Sequence, residues 1–524
     1  MNRILLCNIL IGFLIIGGSC TQQGNKTKPR RSPNILFAIA DDQSFPHASA
    51  YGMPQFKTPA FDSVASHGAL FNNAFVAAPQ CSPSRAAILT GRHIWQLEEA
   101  GTHSSYFPRK FPVFTEALAS AGYFTGYTGK AWGPGNWRDA GWTQNPVGPE
   151  YNQEKYTSIP TQGINPTNYA ANFERFLAER PEGQPFFFWF GSHEPHRVYD
   201  YGSGLRQGLD SVGMDIPPFL PDHDTTRTDL LDYALEINWF DQHLKKMLSL
   251  LESMGELDNT IVIVTADNGM AFPYAKAGLH EYGIHVPLAI CGPGITGQQV
   301  IDVPVSLIDL APTILDWAAA EVLPATAGRN LIPLLAGDIP ATVDQYVLTG
   351  RERHTHARPD NLGYPARAIR TPEYLYIRNL KPDRWPMGDP PPEHATGGPS
   401  GTGMKPIVWG FEDIDDSPTK ALLLANRYRW PKKYDRAIAK RGDEELYAIR
   451  EDPACLNNLA ADSRYVNVLS ELRNKLEQRL TEQGDPRIVS RSNVFDSYPR
   501  FGRMRPFPGF REQGVYNPVY QNKE

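Results

Sequence analysis

Cys81-Ser82-Pro83-Ser84-Arg85-Ala86-Ala87-Ile88-Leu89-Thr90-Gly91-Arg92 is the stretch around which the rest of the chain is organised. Ser82 is a good helix N-cap, Pro83 suits the first helical position, and Gly91 suits the residue just past the last turn. The pattern predicts a short helix starting just after Cys81. That leaves the sulfur beside a helix N-terminus, where unpaired N–H groups favour anions. Arg85, four residues on, lies about one turn away and can face the same point. A lone cysteine is more often inert packing than a nucleophile. A cysteine at a helix start with an arginine beside it is a better candidate.

Working outward, four apolar runs read as buried strands, and each ends in a polar group useful in catalysis. Asn34 to Ala40 runs into Asp41-Asp42. Adjacent carboxylates repel unless a cation or donors neutralise them, although a solvated turn is also common for Asp. Tyr123 to Thr128 ends in Gly129-Lys130, and Pro185 to Phe190 runs into Gly191-Ser192-His193-Glu194-Pro195-His196. Thr260 to Thr265 leads to Ala266-Asp267-Asn268-Gly269. Helical patterns lie between the strands: Thr58 to Gly68, Val113 to Ala121 and the long Asp229 to Ser253, in which Asp241 reads as solvated or structural. The order predicts an α/β fold with a large, mostly parallel sheet. Ligands of such sheets bind beyond the carboxyl ends of the strands. Asp41, Asp42, Asp267 and Asn268 would then converge on one edge as hard oxygen ligands, which suit Ca²⁺ or Mg²⁺ better than zinc.

The Cys81 stretch resembles the C-x-P-S-R signature of the type I sulfatases, extended by Leu89-Thr90-Gly91-Arg92. The lead-in segments Thr58 to Ala65 and Phe71 to Phe75, the Ala266–Gly269 turn and Ser306 to Leu315 resemble the same family over about Asn34 to Gln483. The resemblance implies an alkaline-phosphatase-like fold. It implies that Cys81 is oxidised to formylglycine by a maturation enzyme, and that one Ca²⁺ is held by Asp41, Asp42, Asp267, Asn268 and residue 81. Arg85, Lys130 and Lys276 are then the sulfate contacts and His196 the proton donor to the leaving group. The resemblance makes Lys130, His196 and Lys276 the substrate-binding residues, with His193 as a further candidate. His280 could line the same pocket. Trp132 stands where the family has histidine, and His285 where arginine is usual. The segments Asp267 to Pro273, Val305 to Trp317 and Glu445 onward are most like the sulfamidase, or heparan N-sulfatase, group.

The 524 residues, 41% hydrophobic and 21% charged, have ordinary globular composition and room for more than one domain. A formal net charge of −6 gives no global basic field for nucleic acid. Met1 to Ser19 reads as a secretory signal: Arg3 precedes an apolar run, Ile4 to Ile16, too short to span a bilayer. Gly17-Gly18-Ser19-Cys20 resembles a lipoprotein cleavage box, with ordinary signal cleavage as the alternative, and residues 20–32 read as a tether. The expected location is the periplasm or the outer membrane of a bacterium, with membrane contact only through a lipid on Cys20. Of the five cysteines, Cys7 and Cys20 fall in this leader, so Cys81, Cys291 and Cys455 require no disulfide framework.

Residues 33–350 form the expected catalytic domain and 351–484 a smaller C-terminal subdomain, in which Ala366 to Arg370 and Tyr374 to Arg378 read as antiparallel strands and Asn467 to Gln483 as a closing helix. An extended tail, 485–524, follows. Substrate choice should lie in the loops Trp137 to Thr167 and Trp385 to Ile407 and in this tail. A sulfated saccharide is the expected partner, with N-sulfoglucosamine favoured. The alternatives are an O-sulfatase on another polysaccharide, a phosphonate monoester or phosphodiester hydrolase, and a non-catalytic glycan-binding lipoprotein.

Overall fold

The computed structural model describes residues 32–338, 344–391, 398–399, 406–407 and 410–501. The expected signal, Cys20, most of the tether and the tail beyond Phe501 lie outside the described residues.

Seven strands form the main sheet: β1 Asn34–Ala40, β2 Ala69–Phe71, β3 Phe124–Gly129, β4 Phe186–Gly191, β5 Thr260–Ala266, β6 Leu288–Cys291 and β7 Gln299–Ile301, in the order β3-β4-β1-β5-β6-β2-β7. The β3, β4, β1 and β5 strands are mutually parallel, whereas β6 runs antiparallel to both its neighbours. Every residue of β1, β4 and β5 is buried, which is why these segments read as continuous apolar runs rather than alternating ones.

The two faces of the sheet are legible in β4. Phe187 packs edge-on against Phe114 of α3 (Phe114–Ser120), while Phe186 and Phe188 meet Phe173 of α4 (Tyr169–Glu179), because successive side chains point to opposite faces. Phe190, on the same face as Phe188, stacks on Phe240 of the long helix α5 (Asp224–Ser253). This helix begins five residues before the expected Asp229, where His223 accepts from the Thr225 N–H. Asp241 is structural: its carboxylate accepts from the Ala60 and Phe61 N–H groups at 2.9 and 2.8 Å, capping α1 (Pro59–His67).

A second sheet of four antiparallel strands holds β8 Val347–Arg351, β9 Ala366–Arg370, β10 Tyr374–Asn379 and β11 Glu444–Ala448, in that order. Sequence reading found β9 and β10; β8 crosses the expected boundary at 350. The helix α7, Val466–Glu482, buries Leu469, Leu472, Leu476 and Leu480. The described start of the tail packs in: Asp485 accepts from Arg367, and Phe495 is buried. Among the described residues no helix is long and apolar enough to cross a membrane.

Candidate active site

Strand register sets the site. Ala40 pairs with Ala266, Ile39 with Gly191 and Gly129 with Gly191, so four strands end level on one edge. The residues just beyond are Asp41-Asp42, Lys130, Ser192 to His196 and Asp267-Asn268. Gly191 permits the close approach of β3 and β4: a Cβ there would lie 1.9 Å from the Lys130 carbonyl oxygen. Asp42 is held at φ +76°, a left-handed conformation uncommon for a residue with a Cβ, and its N–H donates to Asp267 Oδ1 at 3.1 Å.

The Cys81 helix arrives at this edge. It spans α2 Cys81–Thr90 with Gln80 as N-cap, so it starts two residues earlier than Ser82 and Pro83 suggested. The Ser82 hydroxyl does not cap its own helix; it accepts from the Ser104 N–H at 3.1 Å. Gly91 closes the helix at φ +66°, as expected. Cys81 Sγ lies 3.4 Å from Asp41 Oδ1 and 3.8 Å from Asp42 Oδ1. Burial, and then Asp41, push this thiol well above its ordinary value, so it is held as the thiol and not the thiolate.

Each carboxylate carries a cation. Lys130 Nζ lies 2.5 Å from Asp41 Oδ2, Lys276 Nζ 2.6 Å from Asp42 Oδ2, and Arg85 Nε 2.7 Å from Asp267 Oδ2. Arg85 is fixed further by the Lys130 and Ala131 carbonyls at 2.7 and 3.0 Å. Burial works to raise the Asp41 carboxyl, but Lys130, His196, Arg85 and Lys276 outweigh it and hold it well below the usual range. Asp267 is pushed up to about 7 by burial and by Asp41. His196 Nδ1 faces the Arg197 carbonyl at 2.5 Å, leaving Nε2 on the site side, 3.8 Å from Asp42 Oδ2. Burial, then Lys130, push the nearby His193 down to about 4, so it is neutral.

The residues present fit a hard cation. Asp41, Asp42, Cys81 and Asp267 offer ligand atoms that all lie within 4.8 Å of one another. Asn268 donates through Nδ2 to Asp42 Oδ1 at 2.6 Å, while its buried Oδ1 has no hydrogen-bond partner among the described residues. An orphaned buried acceptor costs about 1–3 kcal/mol, and beside three carboxylates a cation is the partner that its chemistry suits.

The sulfatase family profile matches residues 33–320, more than half of the chain. The chain belongs to the sulfatase family. Human N-sulphoglucosamine sulphohydrolase is 29% identical over 92% of this sulfatase and 95% of its own length. That is the sulfamidase-like group which the segments at Asp267, Val305 and Glu445 resemble. The structure of a 2-O GAG sulfatase superposes with a TM-score of 0.62 at 22% identity, covering 87% of this chain and 93% of its own. A phosphonate monoester hydrolase from Silicibacter pomeroyi gives 0.61 at 18%, covering 86% and 96%. These likenesses show the fold, and the enzyme class agrees with the expected sulfuric ester hydrolase.

Other sequence-level candidates fall elsewhere. Trp132, in place of the family histidine, is buried and donates from Nε1 to the Ser82 carbonyl at 3.0 Å, so it buttresses the first turn of α2. His280 is tied to Glu445 at 3.2 Å and stacked on Tyr274. His285 bridges Glu281 and the Asn72 carbonyl. Two features went unread in the sequence. Arg197 forms a buried bidentate pair with Asp229 at 2.7 and 2.9 Å, just behind His196. Asp415, from the C-terminal part of the chain, comes within 3.4 Å of Lys276. Neither Arg197 nor Asp415 lies in a periodic segment, and each acts across a long sequence separation.

Proposed function

We propose that this sulfatase removes sulfate from a sulfated glycan, using a formylglycine made from Cys81 and one calcium ion, with N-sulfated glucosamine as the favoured substrate. The observation that carries the reading is the meeting of Cys81, the Asp41, Asp42, Asp267 and Asn268 ligand set and three basic side chains at one sheet edge. When present, the formylglycine hydrate supplies the nucleophile and the calcium ion polarises a sulfate oxygen.

The chain's own residues do the rest. Asp41, Asp42, Asp267 and Asn268 offer the oxygens that hold the ion. Arg85, fixed by Asp267 and two carbonyls, keeps a positive charge beside residue 81. Lys130 and Lys276 are point charges beside Asp41 and Asp42, able to meet sulfate oxygens and to offset the charge that grows there. The Arg197 carbonyl orients His196 through Nδ1, so Nε2 is the nitrogen that passes a proton to the departing sugar oxygen or nitrogen. His193 completes the substrate-facing wall.

The similarity to the human sulphohydrolase supports the N-sulfate reading. An O-sulfate substrate is the second reading, supported by 28% identity to human N-acetylglucosamine-6-sulfatase over 63% of this chain and 69% of that protein. The leader-like first 19 residues and Cys20 support export, with a lipid on Cys20 as the only membrane contact and a maturation enzyme as the protein partner. The test is a sulfate-release screen of defined saccharides. Release from N-sulfated glucosamine is expected. Release from O-sulfated sugars alone would move the substrate assignment, and release of phosphonate but no sulfate would overturn the reading.

A further inference from the structure

Lys276 sits between two carboxylates drawn from distant parts of the chain. Its Nζ is 2.6 Å from Asp42 Oδ2, at the end of β1, and 3.4 Å from Asp415 Oδ2. The side chains of Lys276 and Asp42 are 3% and 0% exposed, whereas that of Asp415 is 16% exposed, so Asp415 is the outer of the two anchors. The chain around Asp415 is locked on both sides. Two residues earlier, Asp413 is paired with Arg351 and Arg358, both at 2.9 Å, and accepts from the Thr355 N–H. Phe411 and Ile414 are buried. Downstream, Ser417 caps the helix α6 (Pro418–Ala425), and Thr419 Oγ1 donates to Asp229 at 2.6 Å. Asp229 is also the partner of Arg197, next to His196.

Such investment in one short segment delivers a single carboxylate to the edge of the site. A lysine ammonium on a four-carbon stem has many rotamers, and a second anchor removes that freedom before substrate arrives. We propose that Asp415 is a positioning residue, supplied by the C-terminal part of the chain, that holds Lys276 on the side from which the sulfate group enters. The inference rests on the sulfatase reading above. It goes beyond that reading by assigning part of the catalytic geometry to residues outside the 33–320 segment that the family profile matches.

The test uses the full chain with Asp415→Asn, Asp415→Glu, Lys276→Ala and the Asp415→Asn/Lys276→Ala double variant, assayed for sulfate release and thermal melting. The expected result is a kcat lower by roughly 10- to 100-fold in Asp415→Asn, with KM unchanged or lower and melting close to wild type. Asp415→Glu should recover most of the rate, and Asp415→Asn should add little to Lys276→Ala, as expected for residues acting as a unit. Wild-type kcat and KM in Asp415→Asn would overturn the inference alone. So would a matched loss of rate and melting temperature in both single Asp415 variants, or additive losses in the double variant. A wild-type chain inert on every sulfated saccharide would overturn the functional reading, and this inference with it.

Discussion

Two of the buried charge clusters among the described residues are built differently. Around the second sheet, Arg367 donates to Asp485 at 2.7 Å and to Glu352 at 2.8 Å, and Arg487 donates to Glu352 at 2.6 Å. These side chains are at most 3% exposed, and none of their polar atoms is orphaned. Planar guanidinium forks matched to carboxylates make a closed, rigid joint that ties the start of the tail to β9. At the sheet edge near Cys81, two of the three cations are lysines, Asp42 is held in a left-handed conformation, and Asn268 Oδ1 and Arg85 Nη2 lack hydrogen-bond partners among the described residues, Arg85 Nη2 lying 3.8 Å from Asp41 Oδ1. The His196 side chain there is 35% exposed. One cluster has its hydrogen bonds satisfied within the protein; the other keeps a buried unpaired acceptor and a partly exposed imidazole. Burial of charge alone would not have told them apart. Satisfied hydrogen bonding does.

The sharpest way to break this contrast is Cys81→Ala. Sulfate release should fall to background, at least about 10⁴-fold, as when a nucleophile is removed, while the melting temperature barely moves. Loss of folding instead would make Cys81 a packing residue. Next, His196→Ala should lower kcat by about 10²–10⁴-fold, the usual range for a lost general acid. The loss should shrink on aryl sulfates, whose leaving groups need no proton; an equal loss on both would remove His196 from that role.

The opposite cluster should respond in stability and not in chemistry. Arg367→Ala removes the only guanidinium paired with Asp485 and one of the two paired with Glu352 among the described residues, and should cost about 3–5 kcal/mol in denaturant unfolding, with kcat of the folded protein retained. A smaller effect is expected where one carboxylate works through backbone N–H groups: Asp241→Ala removes the cap of α1 and should cost about 1–2 kcal/mol. Unchanged stability in either variant would mean that these buried charges are not structural.

How far the sequence went follows from the same physics. Strands β1, β4 and β5 were legible because strands buried on both faces are continuously apolar, and their polar endings stood out at once. The convergence of those endings followed from parallel topology. The start of α2 was misread because the Ser82 hydroxyl finds a tertiary donor at Ser104 instead of capping its own helix. Trp132 read as a departure at the site, yet its side chain supports the Cys81 helix from behind, which no spacing rule shows. Strand β8 was missed because it is completed only by pairing with β9. Asp415 was invisible because its meaning depends on Lys276, 139 residues away in sequence.

The most direct test of the central claim is the mass of the peptide containing residue 81, taken from active protein made in a host that carries the maturation enzyme. An aldehyde-bearing residue at position 81, in proportion to specific activity, is the expected result. An unmodified Cys81 thiol in fully active protein would contradict it.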